Sequence, residues 1–88
     1  MQKPIRFSRH ALDQMKLRGA TQSEVIQAVE TTAWQTAKRG KNEVRKNFPF
    51  GQPSPVNNTV YAFRTVHVIF ADEPTEVVIV TVLVYYGN

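Results

Sequence analysis

Two histidines, His10 and His67, are the only imidazoles in this 88-residue chain. Imidazole titrates near neutrality, so a pair of them can cleave RNA without a metal. One takes the proton of the 2′-hydroxyl, and the other returns a proton to the departing 5′-oxygen. Arg64 is the natural third member. It is the only basic residue after position 50, its planar fork binds two phosphate oxygens at once, and an unpaired charge in its otherwise apolar stretch would be expensive. Arg18 offers the same fork, although its place beside Gly19 also suits the electrostatics of a helix C-terminus. Bland readings stand beside each of these. His10 can assist a helix cap, His67 can be a hydrogen-bonded core residue, and Arg64 can pair with a carboxylate.

A basic run, Lys38, Arg39, Lys41, Arg45 and Lys46, is interrupted by Glu43. It can track a nucleic-acid backbone or form a solvated turn. Residues 1–50 hold ten basic and four acidic side chains, residues 51–88 one basic and three acidic, so the first half is the one that faces a polyanion. Trp34, Phe48 and Phe50 stack on bases or pack in the core. Tyr85 and Tyr86 project to opposite faces of a strand, which sends one of them inward. With two histidines, no cysteine and few clustered carboxylates, no metal site is expected. The absence of a glycine-rich loop and of catalytic serine motifs argues against a nucleotide cofactor and serine chemistry, so no cofactor is expected either.

These residues must be carried by elements that the sequence marks plainly at first. Ser8 is a helix N-cap, Ala11, Leu12 and Met15 follow at amphipathic spacing, and Gly19 supplies a left-handed stop. Thr21-Gln-Ser-Glu24 has the spacing of a capping box ahead of Val25, Ile26 and Val29, a helix that fades at the β-branched Thr31-Thr32. A hairpin is expected from Trp34–Ala37 and Glu43–Phe48 about a turn at 38–42. Phe48 to Asn58, with three prolines and a glycine, reads as a loop. Thr59 to Ala71 reads as one long strand bulged near Arg64-Thr65, and Asp72–Thr75 as a turn. Val77 to Tyr86 is apolar at odd and even positions alike, which predicts a central strand buried on both faces. Thr81 interrupts it and needs a hydrogen-bond partner.

In this order the sequence resembles a bacterial family catalogued as domain of unknown function 4258. The resemblance rests on Phe7-Ser8-Arg-His10-Ala11, Met15, Arg18-Gly19 and Glu24-Val25, then on Arg64-Thr-Val-His67-Val68-Ile69 and Val78-Val-Ile-Val-Thr81-Val82. Both histidines and both singled-out arginines fall within these blocks, which cover about half the chain. That family resembles in architecture the RelE/ParE-type toxins, several of which are metal-independent ribonucleases. The resemblance implies an α+β fold with two N-terminal helices followed by a four-stranded antiparallel sheet.

Length allows one hydrophobic core and therefore one domain, folding alone or as a small oligomer. The lack of cysteine fits a reducing compartment, with cytoplasm the default. Residues 1–10 carry charge with no apolar core behind, so no secretory leader is expected. The longest apolar run falls short of the roughly 20 residues of a membrane helix, so no membrane partner is expected. The functional expectation is a small RNA-directed, toxin-like domain with RNA and a cognate antitoxin-like protein as partners. The alternatives are a non-catalytic interaction domain gripping a protein through a sheet edge, and a plain nucleic-acid binder.

Overall fold

The computed structural model describes residues 3–88; Met1 and Gln2, where the segment read for a leader begins, lie outside the described residues. The first helix, α1 (Arg9–Arg18), starts where Ser8 adopts extended backbone and its Oγ accepts the Ala11 N–H at 3.1 Å. It stops at Gly19, whose φ of 82° lets its N–H return to the Met15 carbonyl at 2.8 Å. The second helix, α2 (Gln22–Thr31), opens on a complete capping box. Thr21 Oγ1 accepts the Glu24 N–H at 3.2 Å, and Glu24 Oε1 accepts the Thr21 N–H at 3.0 Å. Both helices begin and end where local chemistry placed them. Among the described residues no helix is long and apolar enough to cross a membrane.

Five strands follow the order β1-β5-β4-β3-β2, with β1 Ile5–Phe7, β2 Gln35–Thr36, β3 Asn42–Pro53, β4 Val60–Asp72 and β5 Val77–Gly87. The class is α+β, but the sheet is five-stranded and mixed rather than four-stranded and antiparallel. The addition is β1, which lies parallel to β5 with Ile5 opposite Val77 and Phe7 opposite Ile79. Backbone bonds at its two ends fix it there, Val77 N–H to Pro4 O and Ser8 N–H to Ile79 O, both 2.9 Å. At its outer side Arg6 pairs with Glu76 through contacts of 3.1–3.2 Å.

Two further expectations are corrected. Residues 48–53 are strand, not loop, because β3 pairs with β2 only at Asn42 and Glu43 and is an edge strand beyond them, where proline's missing donor is tolerated. The irregularity falls between Pro49 and Gln52, at Gly51 with φ 70°. The bulge expected near Arg64-Thr65 is absent from that point, since Arg64 opposes Tyr86 and Thr65 opposes Tyr85 in regular register. The shift comes at Ile69/Phe70, where Val80 is the extra residue.

Both helices pack on one face of the sheet. Ala11, Met15, Val25, Ala28 and Val29 form a single buried cluster with Val44, Val66, Val68, Phe70, Ile79 and Val82. Alternation sends the intervening residues of β3, β4 and β5 to the other face, which no helix among the described residues covers. The expectation that β5 is buried on both faces is therefore wrong. On the helix-free side Val78, Thr81 and Leu83 are only half-buried and Tyr85 is exposed. Thr81 thus interrupts the run on a side that is not sealed.

Candidate active site on the helix-free face

His67 lies in the middle of β4, with Arg45 of β3 and Leu83 of β5 as its direct cross-strand neighbours on the helix-free face. Glu43, two residues before Arg45, shares that face, and its Oε1 sits 2.6 Å from His67 Nε2. The same oxygen is 3.9 Å from Arg45 Nη2. A carboxylate only accepts, so Nε2 carries the proton of this bond and the neutral ring has its lone pair on Nδ1. His67 is 6% exposed, and Nδ1 is buried with no hydrogen-bond partner. Buried polar atoms are rarely left so, and the exceptions call for a ligand or a function. The ring of Tyr85, 52% exposed, lies 6.3 Å from the imidazole at 30°. Farther along the face, Thr65 Oγ1 bonds Asn47 Oδ1 at 2.5 Å.

The other residues singled out by sequence are not gathered here. His10 is exposed in the first turn of α1, which packs on the opposite face, so the two imidazoles do not share a groove. Arg64, three residues before His67, projects to the helix side and is 7% exposed. There its guanidinium donates to the Gly19 carbonyl and to Glu24 Oε2, and stands 5.1 Å over the Phe50 ring. It is committed to holding the α1–α2 junction on the sheet. Arg18 is half-buried and donates to the Val82 carbonyl at 3.0 Å.

The basic run is divided by the same alternation. Lys38 and Arg39 are exposed in a short 3-10 turn at Lys38–Gly40, and Lys41 follows half-buried. Arg45 joins His67, while Lys46 faces the helix side beside Phe48, 5.9 Å from its ring. The aromatic residues pack: Trp34 meets Phe70 edge-on at 4.8 Å, Phe50 meets Tyr86 at 5.2 Å, and the Tyr86 hydroxyl donates to the Arg18 carbonyl at 2.6 Å. Tyr86 is the inward member of its pair and Tyr85 the outward one.

Glu43 is the residue that sequence reasoning missed. It appeared only as a break in the basic run, and its significance needs the register that sets Glu43 beside Ile69 and Arg45 beside His67. Among the described residues no group of three or more His, Asp or Glu side chains is placed to hold a metal ion. Comparison of the chain with protein-family models, with curated proteins and with solved structures gives no match.

Proposed function

We propose that this chain is a small RNA-directed, toxin-like domain that cleaves RNA without metal at His67, on a fold related to that of the RelE/ParE-type toxins. The observation that carries the reading is the imidazole itself. It is oriented by Glu43, flanked by Arg45, more than nine-tenths buried, and left with one unpartnered nitrogen on a sheet face that no helix covers. Nδ1 takes the proton of a ribose 2′-hydroxyl, and the resulting oxygen attacks the adjacent phosphorus. The bond from phosphorus to the 5′-oxygen breaks, leaving a 2′,3′-cyclic phosphate and a 5′-hydroxyl whose proton comes from water, and the hydroxide so formed takes back the imidazolium proton and restores the ring. Arg45 neutralises the phosphate, and Glu43 stabilises the imidazolium. Tyr85 turns aside to admit the strand and stacks on one of its bases.

The test uses a short single-stranded RNA with a chelator present. Cyclic-phosphate ends are expected from the parent and from His10→Ala. His67→Ala is expected to be inactive, as is any reaction on the same strand with 2′-O-methyl sugars. Cleavage by His67→Ala at the parental rate would refute the mechanism. Expression of the parent, and not of His67→Ala, is expected to arrest bacterial growth.

A further inference from the structure

Charge on the helix-free face is one-sided about His67. Lys41 has extended backbone (φ −91°, ψ 173°) and continues the alternation of β3, so Lys41, Glu43, Arg45 and Asn47 form one column on that face. Past Arg45, toward the β3–β4 hairpin tip, no residue from Asn47 to Phe63 is charged. In the other direction the column runs to Lys41, with Lys38 and Arg39 in the turn behind it. Among the described residues none of these three meets a carboxylate. The basic residues at the far side of the sheet differ, since Lys3 pairs with Asp72 and Arg6 with Glu76. Arg39 is also held at φ 61°, ψ 38°, a left-handed conformation that asparagine or glycine adopts with less strain. Such an outlier at a non-glycine residue points to a role for its side chain.

The imidazole is approached unequally too. Glu43 holds Nε2 from the charged side, whereas Tyr85 lies on the uncharged side, in the row Asn47–Thr65–Tyr85 that crosses three strands. A ribose whose base stacks on Tyr85 brings its 2′-hydroxyl to Nδ1 from that side. Its 3′-phosphate falls on Arg45, and the rest of the strand, which begins at the departing 5′-oxygen, continues over the cations. Residues on one face of a strand recur about every 6.7 Å, close to the step between phosphates in an extended single strand. The first phosphate after the cut then passes Glu43, which repels it, and the second reaches Lys41 and Arg39. We infer that the β2–β3 turn is a subsite for the 3′ segment of the RNA, gripping the second phosphate beyond the cut, while the nucleotide on the 5′ side is held by its base on Tyr85. The inference rests on the ribonuclease reading and adds to it the direction of the strand and the length that it needs.

The probes are DNA strands that contain one ribonucleotide and are cleavable only on its 3′ side. Lengthening the strand from one to three nucleotides beyond the cut adds the second phosphate, and kcat/KM is expected to rise about tenfold. The same addition on the 5′ side is expected to change it by less than about twofold. In the double variant Arg39→Asn with Lys41→Ala, whose asparagine suits the left-handed backbone, the ratio between the long and short 3′ strands is expected to fall to about twofold. Removing the base of the ribonucleotide is expected to lower kcat/KM of the parent about tenfold, and removing the next base to leave it nearly unchanged. Cleavage without regard to 3′ length, an equal gain from the 5′ side, a gain kept by the variant, or equal losses from the two abasic strands would overturn the inference and leave the ribonuclease reading in place. No cleavage of any strand would refute that reading and this inference with it. The length and abasic series use the parent alone, so they decide even if the variant fails to fold.

Discussion

Arg64 and His67 stand three residues apart on β4 and leave the sheet from opposite faces, one into the helix layer and one onto the uncovered side. Each meets a glutamate, Glu24 for the arginine and Glu43 for the histidine. One strand thus carries a structural ion pair and a candidate reactive pair, and substitutions separate them.

Arg64→Met leaves Glu24 partly buried without its cation and Gly19 O without its donor. Removing one partner of a buried pair costs about 3–5 kcal/mol, and Glu24, 20% exposed, places the expected loss at the lower end. Urea unfolding measures it. Combining Arg64→Met with Glu24→Gln is expected to recover part of the loss, because glutamine keeps the capping contact and removes the stranded charge.

Gly19→Ala is expected to cost about 1–2 kcal/mol for the left-handed backbone alone. The new Cβ also falls 2.9 Å from Pro55 Cγ, so the measured loss should exceed that figure. Pro55→Ala in the same chain is expected to return part of it, and a double-mutant cycle reads the coupling.

Hydrogen bonding from Arg6 holds the Glu76 carboxyl below the usual glutamate range, and the same bond raises Arg6. A carboxyl lowered on folding stabilises the fold above its unfolded value, and that contribution disappears as pH falls through the folded value. Glu76→Gln is therefore expected to be slightly less stable than the parent at pH 7 and equal to it below about pH 3. The pair is exposed, so the difference is small and shrinks with added salt.

Glu43→Ala removes the acceptor that sets the His67 tautomer. RNA cleavage is expected to fall about 10²-fold in kcat with little change in RNA affinity. Neutralising Lys38, Arg39 and Lys41 is expected to do the reverse, weakening affinity and flattening its salt dependence by about 0.7 in logarithmic slope per lost phosphate contact on a single strand. Single-turnover kinetics with a salt titration distinguishes the two effects.

What could be read from sequence follows the range of the interactions. Ser8 with Ala11 and Thr21 with Glu24 are partners three residues apart, so both helix starts were legible. β1 was not, since three residues show no periodicity and the strand's partner Val77 lies 72 residues on. The prolines of β3 read as breakers because sequence does not say which strand will lie at an edge. For the site, residue type identified His67 and Arg45, but pairing with Glu43 depends on a strand register that no local pattern encodes. The same absence of register joined His10 and Arg64 to a site that they do not reach.

The parallel seat of β1 also imposes an order on synthesis. As the chain emerges, β3 and β4 can zip into a hairpin at once, whereas β1 and the buried side of α1 must wait for β5, which is translated after both of those strands. Until then the apolar side chains of Ile5, Phe7, Ala11 and Met15 have no finished surface to meet. Closing so long a loop is intrinsically slow, and a ribosome stalled before Val77 holds a nascent chain open to chaperones and proteases.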